Sequence, residues 1–122
     1  FNTIAFQDCV IHWARDHRVH HKYSDTDADP HNATRGFFFS HVGWLMCKKL
    51  PEVTEAGKRI DISDLKKDPI LKFQKDYWNF LMPTFCFVLP TIIPAIYWNE
   101  SISNGWFIAA CFRYAWFLNA TW

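Results

Sequence analysis

YWNFLMPTFCFVLPTIIPAIYWN, residues 77–99, contains no Asp, Glu, Lys or Arg. Its 23 residues, wound as an α-helix, are enough to cross the hydrocarbon core of a bilayer, about 30 Å thick. Tyr77 and Trp78 at one end, and Tyr97 and Trp98 at the other, place amphipathic rings where the headgroups would lie. Pro83, Pro90 and Pro94 would break the interior of a soluble helix. A spanning helix tolerates them where neighbouring groups re-satisfy the freed backbone. The competing reading is a buried core helix of a soluble protein, and it fits the length and the aromatic ends less well. A second apolar segment starts near Ile102 and runs through GWFIAACFRYAWFLNATW with one charge, Arg113. A charge there either faces protein or a polar cavity, or snorkels to an interface. The short link 100–105 would turn the two spans into an antiparallel hairpin.

Outward from the spans the chain changes character. Residues 12–76 carry nearly all the charge, whereas 77–122 carry only Glu100 and Arg113. Lys58, Arg59, Lys66, Lys67, Lys72 and Lys75 precede the first span, and the link between the spans has no basic residue. The positive-inside rule therefore places 12–76 in the cytosol and Glu100 on the far side. The net charge of +1 offers no global field for nucleic acid. Aromatic residues make up 19% of the chain, with seven Trp and twelve Phe, well above soluble usage. Cys9, Cys47, Cys86 and Cys111 form no C-x-x-C pair, so they read as buried reduced thiols. The start on Phe1 and the end on Trp122 within an apolar run read as a piece of a longer protein. The polar half reads as mostly helical. Residues 1–22 lack Pro and Gly and look like the end of one helix, SDTDADPHN (24–32) reads as a turn, and a break falls at Leu50-Pro51.

Within the polar half, His17, His20 and His21 stand at i, i+3 and i+4, spacings that share one helix face. Three imidazoles can thus converge on one metal centre. Imidazole suits iron, copper, nickel and zinc, so the ligand type leaves the metal open. A surface cluster of histidines is the bland alternative. The H-E-x-x-H of zinc proteases is absent. Asp16, Asp25, Asp27 and Asp29 are near enough in sequence to orient metal-bound imidazoles through their second nitrogen. A solvated acidic turn suits Asp25 and Asp27 better. His31 divides between supporting the centre and shaping the turn, while His12 and His41 read as packing residues.

HWARDHRVHHKYSDTDADPHNATRGFFFSHVGWLM (12–46) resembles the second histidine-box region of animal acyl-CoA desaturases, the stearoyl-CoA desaturase family, and the terminal LNATW resembles the approach to that family's later Asn and His residues. The resemblance implies an all-α, membrane-embedded fold, with four membrane helices under a cytosolic helical cap. Residues 1–76 would be the end of a membrane helix plus cap, 77–99 a spanning helix, 100–105 a lumenal link and 106–122 the start of the next span. It further implies two irons, with His17, His20 and His21 among their ligands and the remaining ligands outside the chain. The reaction implied is insertion of a double bond into a fatty acyl-CoA at the endoplasmic reticulum membrane. It would use O2 and electrons from cytochrome b5 and its NADH-dependent reductase.

By the same resemblance, Arg15, Asp16, Lys48 and Lys49 correspond to contacts with the CoA head, as do Asp8 and Trp122. The chain departs from the family pattern at Asp8, where vertebrate members have Asn, and at Asp27, where they have His. Gln7, Trp13 and Thr121 correspond to the bend of the acyl tunnel. A membrane di-iron hydroxylase or other oxygenase shares spaced histidine boxes. A non-catalytic membrane protein with a chance histidine cluster is the reading from another class. The WARDHR and RGFFFSHVGWL strings favour the desaturase.

Overall fold

The computed structural model describes residues 2–120, with side chains to Trp116; Thr121 and Trp122 lie outside the described residues. Among the described residues the secondary structure is helical throughout, without a strand. The chain forms two compact units. One combines the residues up to Val10 with those from Ile70 onward, and the other is Ile11–Pro69.

In the first of these units, Trp78–Trp98 is a 21-residue helix, long and apolar enough to cross a membrane, with only 11% of its most apolar window buried. Pro83, Pro90 and Pro94 all lie inside it, so the expectation that this helix survives its prolines holds. The reason is visible in the backbone. Thr84–Val88 winds as a π-helix, with the Leu89 N–H donating to the Thr84 carbonyl, and the wider turn gives room for the pyrrolidine rings. A regular helix would aim residue 90's N–H at the Cys86 carbonyl, and proline has none. Arg113 donates instead, Nη2 to Cys86 O at 2.5 Å. The same guanidinium reaches Ala109 O at 2.8 Å and Ile4 O at 3.2 Å. The one charge of the second apolar segment therefore faces protein, one of the two placements open to it.

Asn99 ends the first apolar helix in the left-handed conformation, φ 54°, its N–H returning to Pro94 O. Ser101 opens the next helix by accepting from the Asn104 N–H at 3.1 Å. The link is thus shorter than the 100–105 expected, because Ile102 is already helical. The second helix continues through a π-helical Gly105–Phe112 into Arg113–Ala120. Gly105 is buried there, and a Cβ on it would overlap the Thr91 carbonyl oxygen. Glycine is what allows the two helix backbones to meet at that point.

Residues 1–22 are not one helix. Asn2–Ala5 forms a short helix, and a second runs Val10–Tyr23. Between them Phe6 and Asp8 take positive φ, 55° and 69°. The Asp8 carboxylate accepts the Cys9 N–H at 2.6 Å, a local bond that suits Asp to this conformation. Phe6 is held by ring contacts with Phe87 (5.9 Å) and Tyr114 (5.4 Å). No breaker residue marks this kink, which depends on contacts distant in sequence.

The unit Ile11–Pro69 packs the box helix Val10–Tyr23 with Pro51–Arg59 and Ser63–Lys67. Ile11, Val19, Val53 and Ala56 are among its buried apolar residues. Pro51 begins a helix rather than merely ending one, since the first helical position needs no N–H. Arg18 grips Asp64 with both guanidinium arms, at 2.9 and 2.6 Å, and donates to Asp61 O at 2.7 Å. The 24–32 turn is organised around two buried polar side chains, Asp29 and Asn32. Asn32 donates to Thr26 O at 2.9 Å and accepts from the Thr34 N–H at 2.9 Å.

Candidate metal centre

The box helix converts sequence spacing into converging nitrogens. His17 Nε2 and His21 Nε2 lie 3.0 Å apart with their rings at 87°. Two nitrogens so close can both bind one ion lying about 2.1 Å from each, the usual metal–imidazole distance. Burial, then the neighbouring His21 and His20, push the His17 pKa below the ordinary imidazole value. The neutral form, which is the ligating one, is therefore favoured. Trp13 stacks on His17, ring centroids 4.6 Å apart and planes within 20°, and fixes that ring from the preceding turn.

His20 is held differently. Its Nδ1 lies 2.9 Å from Asp29 Oδ1, and the Asp29 side chain is fully shielded from solvent. Burial acts to raise the Asp29 pKa. Hydrogen bonds from His20 and from the Asp25 and His31 N–H groups outweigh it and hold the carboxyl below its usual range. Of Asp16, Asp25, Asp27 and Asp29, Asp29 is the one whose side chain meets a box histidine. Asp25 contributes through its backbone N–H, and Asp27 is exposed. His31 helps to shape the turn and packs beside His20. Its N–H binds Asp29, while its ring meets His20 edge-on at 5.4 Å and Trp44 at 4.3 Å. Burial, then His20, lowers the His31 pKa. His41 stacks on Phe37 at 5.5 Å, the packing role expected of it.

Three of the residues matched to the CoA head come together. Asp16 accepts from Arg15 Nε at 2.9 Å and pairs with Lys49. Lys48 and Lys49 are exposed and line a cleft with Arg35, Phe39 and Trp44. Gln7 is half-buried and Asp8 exposed, and both lie in the other compact unit. Thr121 and Trp122 are outside the described residues. All four cysteines are free, as expected, but only Cys9 and Cys86 are buried: Cys111 is half-buried, and Cys47 is exposed because its segment Trp44–Met46 ends at the surface. The Trp13–His17 stack was legible as an i, i+4 aromatic pair. The Arg18–Asp64 clamp, 46 residues apart, left no local signal.

Residues 2–122 match the fatty acid desaturase family. The chain is 63% identical to an acyl-CoA Delta-9 desaturase of Acheta domesticus, over 99% of its own length and 34% of the relative's. It is 54% identical to the Delta(9)-fatty-acid desaturase fat-7 of Caenorhabditis elegans and 52% identical to stearoyl-CoA desaturase 5 of Bos taurus, each over 99% of this chain and 36% of theirs. The chain thus spans about a third of the length of the curated relatives it matches. A family match running across the whole described chain, on a helix that lines up three histidines, gives the identification: the chain belongs to the fatty acid desaturase family.

Proposed function

We propose that this chain is the middle part of a membrane-bound di-iron acyl-CoA desaturase, inserting a double bond into a fatty acyl-CoA. The observation that carries the reading is the facing pair of His17 and His21 nitrogens, 3.0 Å apart, beside a His20 braced by a buried carboxylate. The donor set is all imidazole, which suits iron. His17, His20 and His21 would hold the metal, with further ligands supplied by parts of the protein outside this chain.

Abstracting hydrogen from an unactivated methylene pair is beyond any side chain, so the bound iron and O2 supply that oxidising chemistry. The residues of this chain position and shield. Trp13 and Asp29 hold two box rings in place. Arg15, Lys48 and Lys49 offer cations to the CoA phosphates, and Asp16 keeps Arg15 and Lys49 together. Gln7, Trp13 and Thr121 would border the bent acyl chain, and Asp8 and Trp122 the CoA end. Cytochrome b5 and its NADH-dependent reductase are the proposed electron source, at the endoplasmic reticulum membrane with the box on the cytosolic side. The relatives include enzymes named for Delta-9, Delta-11 and Delta12 desaturation at 57 to 63% identity, so the reading is of acyl-CoA desaturation without a bond position.

The test is His20→Ala in the full-length protein. Bound iron should fall and desaturation should be lost, since no other imidazole on the box helix stands where His20 does. Normal iron with full turnover would remove His20 from the ligand set.

A further inference from the structure

We propose that Asp29 is a positioning residue that determines which nitrogen of His20 is presented to the metal, an inference that rests on the di-iron reading above. The Asp29 carboxylate is fully shielded, and both of its oxygens are engaged. Oδ1 lies 2.9 Å from His20 Nδ1 and accepts the His31 N–H at 2.8 Å. Oδ2 accepts the Asp25 N–H at 2.8 Å. A carboxylate has no proton to give, so His20 carries its proton on Nδ1 and keeps the lone pair on Nε2.

The turn is shaped around this bond. Asp25 adopts φ 60°, which aims its N–H back at Asp29. Pro30, buried, restricts the chain just after the carboxylate. Asn32 closes the loop onto Thr26 O at 2.9 Å. His31 lies edge-on to both His20 and Trp44 and so walls one side of the His20 ring.

Because both oxygens already face donors, Asp29→Asn has no neutral solution. If the new NH2 occupies the Oδ2 position it meets the Asp25 N–H, donor against donor. If it occupies the Oδ1 position it meets the His31 N–H and His20 Nδ1. The imidazole can then keep its partner only by moving its proton to Nε2, which removes the lone pair the metal needs. Carboxylates that hold metal-bound histidines typically contribute 10–100-fold to metal affinity.

The experiment is chelator competition for iron on purified full-length protein, comparing wild type, Asp29→Asn, Asp29→Glu and Asp27→Asn. Thermal unfolding of the metal-free forms is measured alongside. Asp29→Asn should bind iron more weakly in its folded fraction, by up to about 10–100-fold, because even the amide orientation that keeps an oxygen at Oδ1 gives His20 Nδ1–H a neutral acceptor in place of a carboxylate. Asp29→Glu, which keeps two acceptor oxygens, should fall between it and wild type. Asp27→Asn, altering an exposed neighbour, should match wild type. A purely structural Asp29 would lower the metal-free unfolding temperature and leave the iron affinity of the folded protein unchanged. That result, or equal weakening by Asp27→Asn, overturns the inference. A wild-type protein that binds no iron overturns the di-iron reading itself.

Discussion

At the scale of single residues, the box is a set of imidazoles each fixed by a different neighbour. Trp13 fixes His17 by stacking, and Asp29 fixes His20 by a hydrogen bond. Arg18, in the same helix, instead ties that helix to Ser63–Lys67. The Arg18 guanidinium, hydrogen-bonded to Asp64, lowers the Asp64 pKa from 3.8 to about 2. The unfolded chain therefore binds a proton at Asp64 before the folded one does. The contribution of this pair to stability is complete above about pH 4 and is lost as pH falls through about 2. Unfolding measured between those pH values should show this acid dependence in wild type. Arg18→Gln should reduce it, since backbone hydrogen bonds also lower Asp64 and other carboxylates are depressed too, and an unchanged profile in that variant would assign the dependence to those other carboxylates.

At the scale of elements, two glycines separate backbone approach from helix propensity. Gly105 sits where the second apolar helix crosses the Thr91 carbonyl, a rigid backbone neighbour. Gly105→Ala should destabilise the hairpin by about 1–3 kcal/mol, the usual cost of overpacking, measured as denaturant or thermal unfolding in detergent. Gly57, within Pro51–Arg59, has as its nearest neighbour the flexible Arg15 side chain at 3.8 Å, an ordinary contact. Gly57→Ala should raise stability by up to about 1 kcal/mol through helix propensity alone. Loss of stability in both variants would mean that Arg15 cannot give way. The π-helical turns belong to this scale as well. Three prolines announce a disturbed helix, but the widened turn at Thr84–Val88 and the Arg113 donation to Cys86 depend on which partners lie alongside.

At the scale of the whole molecule, the distribution of charge predicts how the chain meets a bilayer. Six basic residues from Lys58 to Lys75 precede the first apolar helix, and none lies between it and the next. Cysteine substituted at Lys67 should label from the cytosolic side, and at Glu100 from the lumenal side. Lumenal labelling at position 67 would reverse the orientation. The sequence by itself was enough for the helical class, for the membrane-length helix, read as 77–99 and found at Trp78–Trp98, and for the facing of His17 and His21. These follow from composition and from spacings within one or two helical turns, which any helix converts into the same geometry. Tertiary structure alone decided the kink at Phe6–Asp8, the shielding of Asp29 and the destination of Arg113. Each depends on groups brought together by packing rather than by sequence, Phe6 on Phe87, Asp29 on His20 across a turn, and Arg113 on Cys86 and Ile4. A side chain's partner is set by which surfaces exclude water together, and local periodicity carries no record of that.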